Sequence, residues 1–380
     1  MTSARPAFRA ALLSFRLGGV DGVSVESHKW ASMLRELGWE VRTVAGSGPV
    51  DVVVPGLDFN DEVCPSQAAV SDGIDNCDLV IVENLLSLPL KPAASAVVAA
   101  ALRGRPAVLR HFDLPWQRVR FADVEGFPPT DTHWRHVVIN ALSQRELSGR
   151  GIDSTVIPPG FAAPGPGRRD ALRQALGVGG GEVLQLQPTR AIERKALPDA
   201  VALAEAMGAV LWITGPSEEG YEPMLAAILG AARCRVLRGW PAEPAHGAEW
   251  SMDDAYAACD FVSFPSRWEG FGLPMVEAAL QRRPLVARTY PVAEEFAAVG
   301  LRWIDIDGPD PAAQMRVQLE SPDRAWLDHN AEVATTHFSL EASRRRLSSL
   351  LTSMGFGDVS SHASGALPSD ALPDVRKRLR

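Results

Sequence analysis

The sequence predicts an α/β protein made of two doubly wound parallel sheets, and three observations carry this prediction. The chain has 380 residues, enough for two domains of ordinary size that each bury a core. Short, nearly continuous apolar runs alternate with helical patterns along the chain, as expected for parallel strands covered on both faces. A segment dense in proline and glycine, 158–170, separates two series of similar size. One large domain is the less favoured alternative.

The first series contains the predicted strands AALLSF (10–15), EVRTVAG (40–46), DVVVPG (51–56), DLVIVEN (78–84), PAVLRHFD (106–113), HVVINAL (136–142) and STVIPPG (154–160). A helix is predicted between the first two strands, and Gly38 is placed to end it. The apolar face of this helix consists of Val25, Trp30, Met33, Leu34 and Leu37. Strand, helix and strand together form a βαβ unit.

The second series contains the predicted strands EVLQLQP (182–188), AVLWITG (209–215), RVLRGW (235–240), DFVSFP (260–265), PLVART (284–289) and LRWIDI (301–306). We therefore predict an N-terminal domain over 1–160 and a second domain over 161–335. A helix within 336–356 is predicted to return to the first domain, and 357–380 is predicted to be a loose tail. Two such sheets are expected to face each other across a cleft, where ligands bind beyond the carboxyl ends of the strands.

Composition narrows the class of protein. Apolar residues make up 46% and charged residues 22%, the balance of a soluble globular protein. The net charge of −8 argues against a dedicated nucleic-acid binder. No apolar run suits a signal peptide or a membrane span, so we expect a cytoplasmic protein whose membrane contact is at most peripheral. The four cysteines are widely spaced and are predicted to be buried free thiols in a reducing compartment.

The stretch FPSRWEGFGLPMVEAAL, 264–280, places a carboxylate on each side of a bare turn. Pro274 suits the first turn of a helix, whose free N–H groups and dipole favour a phosphate. Gly270 and Gly272 have no Cβ to keep a ligand from their amides. Glu277, predicted in the first helical turn, would accept hydroxyl groups, and Glu269 would face the group on the far phosphate. The alternatives are a solvated loop charge and an ordinary first-turn acid.

The whole string Glu-Gly-Phe-Gly-Leu-Pro-Met-Val-Glu resembles the E-x7-E signature of retaining GT-B glycosyltransferases, in particular family 4, which have two Rossmann-like domains. The resemblance implies that Glu277 binds the nucleotide ribose and that Glu269 contacts the donor sugar near the reacting carbon. It implies that sugar hydroxyls and phosphate are bound by the backbone at Gly270, Phe271, Gly272 and Leu273.

A second motif, TRAIERKALP, offers Arg190 and Lys195, which resemble the family's clamp on the diphosphate. A guanidinium and an ammonium can offset the charge of a departing diphosphate, a role that a metal fills elsewhere. Two alternatives stay open: Lys195 is an exposed lysine at a helix start, or Arg194 takes the role of a clamp residue.

Further candidates follow strands of the first domain. In FRLGGVDGVS, Gly18 and Gly19 match a double glycine that lets the family's backbone approach the donor phosphate, although a plain tight turn explains them equally. His111 matches a histidine at the junction of donor sugar and acceptor; the alternative is a structural histidine. Weak acceptor-binding candidates are Asn84, Asp113 and Trp116.

The resemblance spans about 10–355 and implies transfer of a hexosyl group from a UDP- or GDP-sugar to a hydroxyl of a small-molecule, sugar or lipid-linked acceptor, with no cofactor or metal. A nucleotide-sugar epimerase, a phosphorylase of the same fold and an inactive sugar-nucleotide-binding protein are the alternatives. The chain departs from the family at QRRPLV and at TYPVAEEF, where the family commonly has a Gly-rich turn. Asp305 and Asp307 are read as a strand end, and His133 with His136 as a pair lacking further metal ligands.

Overall fold

The computed structural model describes residues 8–19, 21–243 and 249–357, and these form two compact units. The first unit runs up to Gly160 and takes in the described chain from Leu340 onward. The second unit spans Phe161–Ser339. The predicted tail lies outside the described residues, apart from Gly357.

Within the described residues, the first unit holds a seven-stranded parallel sheet of strand order β3-β2-β1-β4-β5-β6-β7. Its strands are β1 (Arg9–Arg16), β2 (Glu40–Ser47), β3 (Val52–Val53), β4 (Leu79–Glu83), β5 (Ala107–His111), β6 (Trp134–Val138) and β7 (Ser154–Val156). Each predicted strand of the first series overlaps an observed strand, but the one predicted over 136–142 ends at Val138, because Ala141 begins a helix. The residues of β1, β4 and β5 are almost all buried, which is why these strands read as continuous apolar runs.

Helices cover this sheet, and they are α1 (Gly22–Glu36), α2 (Gln67–Gly73), α3 (Pro92–Leu102) and α4 (Ala141–Ser148). The Asp21 carboxylate caps α1 by accepting from the N–H groups of Val23 and Ser24, both at 3.1 Å. The predicted apolar face of this helix is confirmed, because all five of its residues are buried, and Trp30, Met33, Leu34 and Leu37 lie in one core with β1 and β4. Gly38 follows the helix in the left-handed conformation, with φ +84°.

In the part of the chain that the structure describes, the second unit holds a six-stranded parallel sheet of strand order β10-β9-β8-β11-β12-β13. Its strands are β8 (Leu184–Gln187), β9 (Val210–Ile213), β10 (Val236–Arg238), β11 (Phe261–Phe264), β12 (Leu285–Ala287) and β13 (Ile304–Asp305). Its helices are α5 (Arg169–Ala175), α6 (Leu197–Met207), α7 (Glu222–Ala231), α8 (Met252–Ala258), α9 (Leu273–Leu280), α10 (Ala293–Ala298), α11 (Pro311–Glu320) and α12 (Arg324–Phe338). The predicted strands of the second series, including the strand end at Asp305, are confirmed.

Each sheet has one point where the strand order reverses. In the first unit this point lies between β1 and β4, and in the second it lies between β8 and β11. The loops that leave such neighbouring strands in opposite directions open a crevice at their carboxyl ends. The loop after β8 carries Arg190 and Lys195, and the loop after β11 carries Glu269.

The last described helix, α13 (Leu340–Ser353), belongs to the first unit. Its residues Leu347, Leu350 and Leu351 are buried in the same core as α1. The chain passes between the units at 160–161 and again at 339–340, and the second passage lies a few residues beyond the predicted limit of 335. The two passing segments meet in the second unit, where the N–H of Phe161 donates to Phe338 O at 2.8 Å.

Two expectations about local environment need correction. The segment 158–170 is only in part a linker, because its second half is bound to α8. There the Arg168 guanidinium donates to the Asp254 carboxylate at 2.7 Å, and Gly165 N donates to Asp253 Oδ2 at 2.8 Å. The cysteines are free thiols, as expected, but only Cys259 is buried, whereas Cys64 is exposed and the other two are half-buried. A cysteine in a loop has no periodic pattern around it that reports its burial.

A buried charge cluster lies under the carboxyl ends of β4 and β5. The Arg110 guanidinium is fully buried; it donates to Glu26 Oε2 at 3.0 Å and to Glu83 Oε2 at 3.2 Å. It lies 4.3 Å from the centroid of the Trp30 ring. The Lys29 ammonium donates to the other oxygen of Glu26 at 2.6 Å. Burial raises the pKa of Glu83 to about 7, against the opposing charge of the guanidinium.

Candidate functional site

The candidate site of the second unit lies where the ends of β8 and β11 meet. Glu269, in the loop after β11, has both of its oxygens bound by cationic side chains from the loop after β8. Lys195 Nζ donates to Oε1 at 2.5 Å, and Arg194 Nη1 donates to Oε2 at 2.8 Å. Arg194 also donates to the carbonyl of Trp268 at 3.0 Å. The residues of one loop therefore fix the carboxylate of the other.

The ion pair of Glu269 and Lys195 is buried, and burial acts on the pKa of both side chains. Glu269 and Lys195 are each 7% exposed. Burial alone would raise the pKa of Glu269, but the neighbouring Lys195 and Arg194 charges outweigh it and hold that pKa below its ordinary value. Burial also lowers the pKa of Lys195, against the attraction of the carboxylate. The alternatives of a solvated loop charge at Glu269 and an exposed lysine at 195 are both wrong.

Arg190 lies in the same loop but has a different partner. Its Nη1 donates to Glu218 Oε2 at 2.5 Å, and the two side chains are 40% and 41% exposed. Lys195 and Arg194 both bind Glu269, and Arg194 is the residue that the sequence left open as an alternative clamp residue. Arg190 is left in an exposed, weakly held ion pair that a ligand can replace at small cost.

The turn between Glu269 and α9 has a backbone that only glycine adopts readily. Gly272 has φ +108°, and a Cβ at this position would lie 1.8 Å from the hydroxyl oxygen of Tyr290. The Tyr290 hydroxyl donates to the carbonyl of Phe271 at 2.7 Å. The Phe271 ring is buried and packs edge-on against Phe296. Its side chain is structural, so the donor role predicted for Phe271 concerns its backbone.

Glu277 lies just beyond the first turn of α9, the turn in which it was predicted. The helix begins at Leu273, with Pro274 in its first turn as predicted, so Glu277 is the fifth residue and not a first-turn acid. Gly272 is left-handed and directly precedes the helix, which therefore begins at Leu273, one residue before the proline. Glu277 Oε2 accepts from the hydroxyl of the buried Tyr256 at 2.8 Å. This bond fixes the orientation of the carboxylate that is predicted to bind the ribose.

In the first unit, Gly18 and Gly19 form the turn between β1 and the capping residue Asp21, as predicted. Gly18 has φ +79°, and a Cβ there would lie 2.4 Å from Pro49 Cγ. A Cβ on Gly19 would lie 3.1 Å from an oxygen of the Asp21 carboxylate. The turn requires glycine at position 18, whereas a Cβ at position 19 would need only a small shift of the Asp21 side chain, and the role of both backbones in phosphate binding stays a prediction.

His111 ends β5 and is joined to two other side chains. Its Nδ1 lies 2.6 Å from Ser87 Oγ, and its Nε2 lies 2.9 Å from Nδ1 of His136. Burial holds the pKa of His111 well below its ordinary value and lowers that of His136 to about 4. Both rings are therefore neutral at neutral pH and carry one N–H each. The role of His111 beside the donor sugar stays a prediction, since both of its ring nitrogens are engaged within the unit.

The acceptor candidates also have partners in the first unit. Asn84, in the left-handed conformation with φ +58°, accepts from Phe112 N at 3.1 Å, and Asp113 is paired with Arg118 at 2.6 Å. The Trp116 ring N–H donates to a carboxylate oxygen of Glu146 at 2.8 Å. Their predicted contact with an acceptor remains a prediction.

The described residues form neither a cluster of metal ligands nor a membrane-spanning helix. Over 8–19, 21–243 and 249–357, no three or more His, Cys, Asp or Glu side chains are grouped as a metal site requires. His136 lies on strand β6, not on a helix, and its ring contacts His111. Over the same ranges, no helix has both the length and the apolar character of a membrane span.

Comparison with known proteins finds glycosyltransferase relatives and structural neighbours. No protein-family model matches the chain. Mannosylglucosylglycerate synthase of Thermotoga maritima is 25% identical, and the match covers 88% of this chain and 97% of that protein. D-inositol 3-phosphate glycosyltransferase of Corynebacterium urealyticum is 28% identical over 92% of this chain and 76% of that protein. Among solved structures, HepE of Anabaena in complex with UDP-glucose has a TM-score of 0.69 at 19% identity, over 90% of this chain and 99% of that one.

These relatives and the two parallel-sheet units support a GT-B glycosyltransferase of the group 1 kind. The resemblance inferred from the E-x7-E stretch is thereby confirmed, and so is the predicted fold class. An epimerase, a phosphorylase and an inactive binding protein are not favoured by these relatives.

Several side chains that organise the site of this glycosyltransferase were missed from the sequence. They are Glu218, Tyr256 and Tyr290, each of which contacts a predicted site residue from a distant part of the chain. His136 was considered only as a metal ligand, and its contact with His111 was not predicted. One signal was available for Tyr290, because it stands in TYPVAEEF, where the chain departs from the family pattern. Glu218 and Tyr256 lie in stretches without any motif.

We expect Gly272→Ala to lower the free energy of unfolding of the second unit by about 2 kcal/mol or more, because it combines a left-handed backbone with a steric clash. Gly300→Ala is the matched control, since Gly300 has φ +100° but its Cβ would lie at an ordinary 3.6 Å from His329. Urea unfolding of both variants measures the difference. Equal losses would show that the Tyr290 hydroxyl does not restrict this position.

Proposed function

We propose that this protein is a retaining, metal-independent hexosyltransferase of glycosyltransferase family 4. It moves the sugar of a UDP- or GDP-sugar to a hydroxyl of a small-molecule, sugar or lipid-linked acceptor. The observation that carries the proposal is the buried Glu269 carboxylate, held by Lys195 and Arg194 where the loops after β8 and β11 meet. Nothing but the nucleotide sugar and the acceptor is required, and no cofactor takes part.

The charges of this cluster suit a departing diphosphate. Lys195 and Arg194 bring two positive charges and Glu269 one negative charge, so the group retains an excess positive charge in a nearly dry site. Fixed charges and amides in such a site stabilise developing negative charge without having to reorganise. Arg190 adds a guanidinium that can exchange its exposed Glu218 partner for a phosphate.

The state of Glu269 supports a positioning role over a nucleophilic one. Both carboxylate oxygens accept from cations, and these charges lower the pKa of the carboxyl, which weakens it as a nucleophile. The acceptor hydroxyl then attacks on the same face from which the diphosphate leaves. The bond from the anomeric carbon to the phosphate oxygen breaks, the bond to the acceptor oxygen forms, and the departing phosphate takes the acceptor's proton.

The names of two relatives support a narrower acceptor class. Their names describe a mannosylglucosylglycerate product and a transfer to D-inositol 3-phosphate, which are small, anionic, polyhydroxylated molecules. An acceptor of this type suits the first unit, where the predicted acceptor residues combine an amide, a carboxylate and an indole.

The test is a transfer assay with labelled UDP-glucose and GDP-mannose, each supplied with and without glucosylglycerate and inositol 3-phosphate, in buffer containing EDTA. We expect acceptor-dependent formation of a glycoside whose anomeric configuration, read from its NMR coupling constant, equals that of the donor. An inverted product would contradict retention, and an epimerised donor would contradict transfer. Activity that appears only after a divalent metal is restored would contradict metal independence.

A further inference from the structure

Tyr290 reaches the donor-binding turn from the segment that follows β12. Its side chain is 2% exposed and packs edge-on against Phe264, with ring centroids 6.1 Å apart. Its hydroxyl lies 2.7 Å from the carbonyl oxygen of Phe271 and 3.4 Å from Met275 Sδ. A hydroxyl has a single proton to donate, and the carbonyl oxygen is both nearer and the stronger acceptor. Burial raises the pKa of Tyr290 well above its ordinary value, which keeps the donor proton in place.

The bond to Phe271 O sets the direction of the next amide. The carbonyl of Phe271 and the N–H of Gly272 belong to one peptide unit, which is planar and trans. In such a unit the C=O and N–H bonds point in opposite directions. Because Tyr290 holds the oxygen towards the interior of the second unit, the Gly272 N–H points the other way.

The Gly272 amide is also short of a partner. Gly272 is buried, yet its N–H finds no hydrogen-bond acceptor among the residues that the structure describes. A buried amide is nearly always paired, so an orphaned one calls for an explanation. A ligand oxygen that occupies the site supplies one.

We propose that Tyr290 is a positioning residue, whose hydroxyl orients the peptide of Phe271 and Gly272 so that the Gly272 N–H binds an oxygen of the donor. The proposal rests on the proposed function, since it names a determinant of that same donor site. It assigns a purpose to the departure at TYPVAEEF. A bulky aromatic residue there occupies the space against Gly272 and anchors the turn.

The chain allows a matched series of hydroxyl deletions in its second unit. It contains three tyrosines, Tyr221, Tyr256 and Tyr290. Tyr290→Phe removes the anchor and keeps the ring, and we expect kcat/KM for UDP-glucose to fall roughly ten-fold, the effect of losing one oriented hydrogen bond. Tyr221→Phe makes the same chemical change at the start of α7 and is expected to keep kcat/KM within about two-fold. Thermal unfolding of each variant shows that the fold is retained.

A second readout does not depend on activity. Of the thirteen phenylalanines, two precede a glycine, in Phe271-Gly272 and Phe356-Gly357. Protein labelled with ¹³C at phenylalanine carbonyls and ¹⁵N at glycines therefore gives two peaks in a carbonyl-to-amide NMR spectrum. The Gly357→Ala variant removes one peak and so assigns both. UDP-glucose should shift the Gly272 peak of the wild type and leave the Gly357 peak in place.

In Tyr290→Phe we expect the Phe271 carbonyl shift to change in the free protein and the response of Gly272 to UDP-glucose to be lost. An unchanged carbonyl shift or an undiminished response in Tyr290→Phe would overturn the proposal. A wild-type Gly272 peak that responds to neither UDP-glucose nor GDP-mannose would also overturn the proposal. This outcome is measured on the wild type alone and does not depend on whether the variant folds. Transfer activity of the wild type decides the proposed function separately.

Discussion

Lys195→Met should lower the turnover of sugar transfer by at least ~100-fold, the loss typical of removing one fixed donor from a developing anion. The reason is that Lys195 is the most deeply buried cation found beside Glu269, and methionine keeps its length without its charge. Turnover with labelled UDP-glucose and the best acceptor measures the effect. The protein should remain folded, because Glu269 keeps its second partner, Arg194.

Two further variants separate loss of charge from loss of fold. Arg233→Met deletes a cation of the same unit whose side chain is 85% exposed in its pair with Glu205, and it should leave turnover unchanged. Lys195→Met combined with Glu269→Gln removes both members of the pair, so no buried charge is left uncompensated. We expect this double variant to be well folded and still inactive. Near wild-type turnover in Lys195→Met would remove Lys195 from the mechanism.

Arg110→Met should lower the free energy of unfolding of the first unit by about 3–5 kcal/mol, because it leaves two buried carboxylates without their shared cation. Glu26 and Glu83 both depend on this guanidinium, and Glu83 is fully buried. Hydrogen exchange of the β1 and β4 amides, which lie in the core of the unit, reports this free energy. Arg9→Met is the control, since its pair with Glu40 is exposed and should contribute little to the free energy of unfolding.

A second substitution tests whether the uncompensated carboxylates cause this loss of stability. Adding Glu83→Gln to Arg110→Met removes one of the stranded charges and should recover part of the lost stability. If Arg110→Met costs no more than Arg9→Met, the cluster does not contribute to the stability of the first unit.

The sequence predicted the strands and the reaction-bearing stretch for physical reasons that can be stated. Strands such as β1 and β4 are buried on both faces, and they therefore consist of continuous apolar runs that are recognisable in the sequence. The turn 269–277 combines glycine, proline and two carboxylates in adjacent positions, so its chemistry is local in sequence. The conformation of such a turn depends mainly on neighbouring residues, so it can be predicted from the sequence.

The parts that escaped prediction depend on contacts between distant segments. The bond from Tyr290 to Phe271 spans 19 residues, and the pair of His111 and His136 spans 25. Neither periodicity nor spacing encodes such a contact. The start of α9 was misplaced because a left-handed glycine, not the proline alone, decides where the helix begins. The exposure of Cys64 was missed because its surroundings form a loop.

The central claim is that the diphosphate of a sugar nucleotide is held by side-chain cations and backbone amides of the second unit, without a metal. Calorimetric titration of UDP-glucose into the wild-type protein tests it most directly, first with EDTA and then with excess Mn²⁺ in place of EDTA. We expect the same dissociation constant, within about two-fold, in both buffers, and loss of measurable binding in Lys195→Met. Binding that requires Mn²⁺, or that survives unchanged in Lys195→Met, would contradict the account.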